Sequence, residues 1–118
     1  MGNLNRAILT GRLTRDPEVR YTKNNNAVTS FSLAVNRGGK DAEADFINCV
    51  SWGKLAKICG EFLKKGRMVA VEGRIQVRKY ETKDGQQRTA TEIVASSMQM
   101  LDSKFHNASE KAEELVEV

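Results

Sequence analysis

Flat rings set between cations on one surface can hold a flexible polyanion that carries bases, and two stretches of this chain offer that combination. Read as a strand, "GRIQVRKYE" (73–81) sends Ile75 and Val77 to one side and Arg74, Gln76, Arg78 and Tyr80 to the other. "DFINCVSW" (45–52) divides the same way: Phe46, Asn48, Val50 and Trp52 share a face, while Ile47, Cys49 and Ser51 share the other, which suits a core. Phe46 and Trp52 then stand about 20 Å apart at roughly 3.4 Å per residue, and Lys54 follows two residues after the tryptophan. Bases stack on such rings at about 1–3 kcal/mol each, and phosphates follow the positive charge with a salt-dependent attraction. The chemistry implied is non-covalent holding of single-stranded nucleic acid. Taken singly, Phe46, Trp52 and Tyr80 each read as well as packing residues. Lys64 and Lys65 read as helix-end charges, Arg6 and Arg12 as strand-surface residues, and Asp45, Glu72 and Glu92 as solvated carboxylates. The joint fall of three aromatics and several cations on compatible faces of two strands carries the binding reading.

The elements that must position these groups follow from periodicity. "LNRAILTGRLT" (4–14) is β-rich with Gly11 as a bulge or bend. A turn at Asp16-Pro17 follows, and "EVRYT" extends the next strand at an edge. After a second turn at 24–26, "AVTSFSLAV" alternates, and "NRGGKDAEA" (36–44) is a flexible loop before the strand at 45–52. The period then changes. Leu55, Ile58, Cys59, Phe62 and Leu63 form one helical stripe, with Lys64 and Lys65 at the favourable end of the dipole and Gly66 as the closing residue. Gly60 is the one residue within it that weakens a helix. A long strand (67–81), a turn at Asp84-Gly85 and a returning strand (86–101) complete the pattern. Three strands, one helix and a long hairpin predict an all-β fold with one helix. The layout is a five-stranded Greek-key OB-fold barrel, with the helix between its third and fourth strands and the hairpin formed by its fourth and fifth. A split β-sandwich is the competing arrangement; the helix, which can plug a barrel's open end, favours the barrel. Residues 1–101 form the domain, and 102–118 read as a flexible acidic tail with helix an option after Ser109.

Composition narrows the function classes. With 118 residues the chain is long enough for one domain with its own core. Residues 1–101 carry 17 Lys and Arg against 10 Asp and Glu, a net +7, whereas 102–118 carry 2 against 5, a net −3. A basic body suits a polyanionic partner. Cys49 and Cys59 lack zinc or redox spacing and read as small buried residues in a reducing compartment, so no metal and no cofactor are expected. No His pairs with Cys or Ser, and "GRLTRDP" and "GGKD" are not phosphate loops, so the chain does not read as an enzyme. No apolar run reaches a membrane span, and "MGNLNRAIL" has neither a signal-peptide core nor a myristoylation motif; a cytoplasmic location is expected.

Four segments in order, "LNRAILTGRLTRDPEVRYT", "DFINCVSWGKLAKICGEFLKKG", "VEGRIQVRKYETKDG" and "TEIVASSMQML", resemble the bacterial and phage single-stranded DNA-binding protein family over about residues 3–101. The resemblance implies an OB fold, assembled as a homotetramer, that wraps single-stranded DNA without strong sequence preference in replication, recombination and repair. It implies that Phe46, Trp52 and Tyr80 are the stacking aromatics and that Lys54, Lys64, Lys65, Arg78 and Lys79 contact the backbone. Arg6, Asn48 and Arg74 join them on grounds of charge or face. Two departures stand out. Many members carry a further aromatic in the segment written here "NRGGKDAEA", so one stacking platform is missing. Members commonly end in an acidic tip closed by Pro-Phe that recruits replication and repair proteins; "EELVEV" is acidic without either residue, so recruitment through that tip is not expected. An OB protein specialised for RNA, and a protein-interaction or replication-restart adaptor using the same surface, are the alternatives.

Overall fold

The computed structural model describes residues 2–39 and 43–101; the acidic tail expected over 102–118 lies outside them. The elements are β1 (Ala7–Leu13), β2 (Glu18–Tyr21), β3 (Ala27–Asn36), β4 (Ala44–Trp52), α1 (Gly53–Phe62), β5 (Met68–Glu81) and β6 (Gln87–Met100). The strands lie in the order β1-β5-β6-β4-β3-β2, and β1 also pairs with β3. That extra pairing closes five strands into a ring, the OB barrel expected from the sequence. β2 is a sixth strand added outside the ring along β3, the edge position that "EVRYT" suggests.

The barrel closes because β1 changes partner along its length. Its first part pairs with β5, and Arg12 and Leu13 turn to Ala34 and Leu33 of β3. Gly11 stands at the change. A Cβ there would lie 2.6 Å from the Ala34 carbonyl oxygen, so the crossing strands approach closely only because the side chain is missing. Inward residues from every barrel strand, among them Leu13, Phe31, Leu33, Cys49, Val71 and Ile93, fill the interior. Burial holds both thiols protonated at neutral pH, pushing Cys49 up to about 12 and Cys59 up to about 11.

Helix α1 plugs one end with the stripe read from its spacing: Ile58 and Cys59 are buried, and Leu55 and Phe62 pack against the core. Thr29 of β3 donates its hydroxyl to the Ala56 carbonyl at 2.6 Å in this buried layer. Gly60 has a packing reason to be there, since a Cβ would lie 2.5 Å from Cγ2 of Val19, so β2 rests directly on the helix. The helix ends earlier than its charge pattern suggested. Leu63 is extended (φ −79°, ψ 146°) and buried, and Lys64 and Lys65 lie beyond the last turn. The cause is the pull of β1: the Gly66 amide donates to the Leu13 carbonyl at 2.8 Å, and the Leu13 amide donates to the Arg67 carbonyl at 3.0 Å. Gly66 (φ +88°) therefore shapes the tight turn from Lys64 to Arg67 and does not close the helix.

The β2–β3 and β5–β6 hairpins use one turn design. Thr22 and Thr82 each donate their amide to the carbonyl four residues on, at 2.9 Å, and each hydroxyl accepts the returning amide at 3.2 Å. Asn25 (φ 63°) and Gly85 (φ 83°) take the left-handed position.

Candidate nucleic-acid interface

Along β4 the alternation is as read. Ile47 is half-buried and Cys49 and Ser51 are buried, whereas Phe46 is 71% and Trp52 51% exposed. Tyr80, 43% exposed, stands on the β5 arm. β4 and β5 are not neighbours; β6 lies between them and joins their faces. Asn48 pairs with Glu92 across the parallel β4–β6 ladder, and Glu92 pairs with Gln76 across the antiparallel β6–β5 ladder. Directly paired residues point the same way, so Asn48, Glu92 and Gln76 form one row. Along β5, Arg74, Arg78 and Tyr80 share the face of Gln76.

A chain of polar contacts organises this surface. Arg74 donates from Nη1 to Gln76 Oε1 at 3.3 Å, and Gln76 donates from Nε2 to Glu92 Oε1 at 3.4 Å. Arg78 donates from Nε to the same Glu92 oxygen at 3.4 Å, and its guanidinium carbon lies 5.6 Å from the Tyr80 ring centroid. Arg78 is thus held between an anion and a ring, a cation–π geometry that keeps both arginine and tyrosine extended along the face. Glu92, read from the sequence as a solvated carboxylate, is instead the partly buried centre of this network.

The other candidates are placed differently. Lys54 is exposed at the start of α1, beside Trp52. Lys64 and Lys65 lie past the far end of the helix, about 15 Å along its axis at 1.5 Å per residue, where the Lys65 amide donates to Asp16 Oδ1. Lys79 alternates to the opposite face of β5, with Ile75 and Val77. Arg6 is on the β1 side, paired with Glu72 at 2.9 Å. Just past β3, Arg37 binds Asp45 at 2.8 Å. That hydrogen bond lowers the Asp45 carboxyl below its ordinary value.

The surface also contains residues that the sequence reading passed over. Trp52 and Val50 form one wall of an open groove of about 460 Å³, and Gln76, Arg78 and Glu92 another. β2 supplies a third through Arg20 and Tyr21. Arg20, Val28 and Trp52 fall in one row across β2, β3 and β4, and Tyr21 is 61% exposed at the groove edge. The signal available was an aromatic and an arginine adjacent on a short strand. Which groups β2 would join depended on its pairing with β3.

The model of the single-strand binding protein family matches residues 4–101. The chain belongs to that family. Single-stranded DNA-binding protein 3 of Listeria innocua is 52% identical over 109 residues, covering 89% of this chain and 68% of the relative. Single-stranded DNA-binding protein A of Bacillus subtilis is 51% identical over 105 residues, covering 86% of this chain and 61% of the relative. Single-stranded DNA-binding protein 1 of Lactococcus lactis is 52% identical over 104 residues, with 85% and 69% covered. The matched region thus spans roughly two thirds of these relatives' own length. Membership sets the chain among binding proteins and not among enzymes. Among the described residues no helix is long and apolar enough to cross a membrane, and no three of His, Cys, Asp and Glu gather as metal ligands. In this family member Phe46, Trp52 and Tyr80 share one face with Arg74 and Arg78, with β6 as the bridge between β4 and β5.

Proposed function

We propose that this protein binds single-stranded DNA with little dependence on base sequence and protects it during replication, recombination and repair. The observation that carries the reading is the sharing of one outer face by Phe46, Trp52 and Tyr80 with Arg74 and Arg78, across the paired strands β4, β6 and β5. In this reading Phe46, Trp52 and Tyr80 stack bases, and Lys54, Arg74 and Arg78 attract the backbone that runs between the rings. Asn48 offers hydrogen bonds on the same face. Arg6, Lys64, Lys65 and Lys79 lie off the groove and serve a strand that continues around the barrel. The relatives' names support DNA as the polymer. A cytoplasmic, nucleoid-associated location follows from that substrate.

Trp52 is the sole tryptophan and reports on its own site. Adding a long thymidine oligomer quenches its fluorescence, duplex DNA does not, and salt reverses the effect. With about five phosphates neutralised, affinity falls about 100-fold from roughly 50 to 200 mM salt. No binding of the single strand, by fluorescence or by mobility shift, would transfer the face to a protein partner. Tighter binding of an RNA oligomer of equal sequence would make RNA the substrate.

The same reading makes the protein a homotetramer. Ile75 and Val77 are exposed on the face of the β5 arm away from the groove, and Ile8 is exposed on β1. Apolar side chains held open on strands in this way suit burial against further copies. Light scattering is expected to give four times the 13.1 kDa chain mass; a monomer mass at micromolar concentration would overturn the assembly.

A further inference from the structure

The groove is lined by three charged side chains, Arg20, Arg78 and Glu92, and two of them offset each other. Arg78 donates to Glu92 at 3.4 Å, so this pair presents little net charge to a ligand. The positive charge that remains belongs to Arg20. No hydrogen bond or ion pair engages Arg20 among the described residues, whereas Arg6, Arg37 and Arg78 are each tied to a carboxylate. An exposed guanidinium in this state suits an anion that the ligand brings. Its planar fork matches the oxygens of a phosphate with two parallel hydrogen bonds.

The sheet fixes where this cation stands relative to the indole. Arg20 pairs with Val28, and Val28 pairs with Trp52, in one row across β2, β3 and β4. Directly paired residues point to the same side, so Arg20 and Trp52 rise from one face. Their backbones are two strand spacings apart, about 10 Å. Val28, between them, is buried and offers no polar group to compete. β2 is itself held in place. Four ladder pairs join it to β3, and Val19, on its other side, rests on Gly60 of the helix. The backbone beneath Arg20 is therefore anchored while its side chain is exposed.

Resting on the reading of this groove as a single-strand site, we infer that Arg20 binds a backbone phosphate of the nucleotide whose base stacks on Trp52. The base lies at the ring, the sugar over Val28 and the phosphate at the guanidinium. β2, the strand outside the barrel ring, thus supplies the cation for a ring that β4 supplies. The contact reads no base, so tolerance of sequence is kept.

Arg20→Gln keeps most of the side chain's length and removes its charge, and an exposed residue without protein partners can change in this way without loss of the fold. A labelled thymidine oligomer is the probe, titrated into the full chain between roughly 50 and 200 mM salt. Affinity at the lower salt is expected to fall about fivefold. The slope of log affinity against log salt is expected to flatten by about 0.7, the value for one phosphate on a single strand. Lys57→Gln controls for loss of a surface charge as such, because Lys57 is exposed on the helix and does not line the groove. That variant should keep the wild-type slope. An Arg20→Gln protein with wild-type affinity and slope overturns the inference, and so does an equal flattening in Lys57→Gln. Combining variants tests the link to the ring. If one nucleotide joins the two residues, Arg20→Gln weakens a Trp52→Ala protein by about twofold at most. Losses that simply multiply put Arg20 on another nucleotide and overturn the assignment to the Trp52 site. Failure of wild-type protein to bind the oligomer is a different result, and removes the single-strand reading along with the inference.

Discussion

Replacing Gly73 with alanine is expected to cost at least about 3 kcal/mol and lower the melting temperature by about 10 °C or more. At a compatible position the same change stabilises by roughly 0.4–1 kcal/mol through the unfolded chain, so the sign itself is informative. At Gly73 a Cβ would lie 2.0 Å from the Val94 carbonyl oxygen and 2.8 Å from its carbon. Both are backbone atoms of the paired strand, which no rotamer change can move aside. The strands cannot separate cheaply either. Gly73 pairs with Ala7 on one side and Ala95 on the other, and the β5–β6 ladder continues beyond it to Glu81 and Gln87. The register slips between Glu72 and Gly73, where Ser96 is the extra residue of β6 and donates its hydroxyl to the Glu72 carbonyl at 3.0 Å. This irregularity joins the barrel to the projecting hairpin, and it aims Arg74, Gln76, Arg78 and Tyr80 at the groove. Thermal melts followed by far-ultraviolet circular dichroism, at one protein concentration, measure the effect. A Gly73→Ala protein that melts with the wild type would mean the strands relax freely at the junction.

What could be read in the sequence was whatever depends on local period. The two-residue alternation of 45–52 separates Phe46 and Trp52 from Ile47 and Cys49, and the three-and-four spacing from Leu55 to Leu63 gives the helix stripe. Both hold because each element buries one side against one core. What depends on partners distant in sequence was not legible. The joining of the Trp52 face to the Arg78 face runs through β6, and Glu92 looked like a solvated acid until that strand took its place between β4 and β5. Tyr21 and Arg20 enter the groove only because β2 pairs with β3. Gly60, a weakness by helix propensity, is explained by Val19 of a strand about 40 residues earlier in the chain. The early end of α1 has the same kind of cause. Lys64 and Lys65 fit a helix terminus by charge, but hydrogen bonds to Leu13 decide where the chain turns.

Trp52→Ala is expected to weaken binding of a short thymidine oligomer by about 5- to 150-fold, the equivalent of about 1–3 kcal/mol for one stacked base. Labelled DNA must be the probe, because the substitution removes the only intrinsic tryptophan signal. The fold should survive. The indole is about half exposed, and although Trp52 is the N-cap of α1 its side chain makes no capping hydrogen bond. Some stability is still lost, since Val28 and Val50 lie buried beneath the groove that the ring walls. The affinity loss is separable from that cost by its salt dependence. Removing a ring leaves the number of neutralised phosphates unchanged, so the slope of log affinity against log salt should match wild type. Arg78→Ala should instead flatten that slope by about 0.7, the value for one phosphate on a single strand. The pair of variants thus tests a division of labour between ring and cation, and not merely the importance of the surface. If Trp52→Ala binds thymidine oligomers as tightly as wild type, the indole is a lid on Val28 and Val50 and not a base platform. Tyr21, Phe46 and Tyr80 would then carry the stacking.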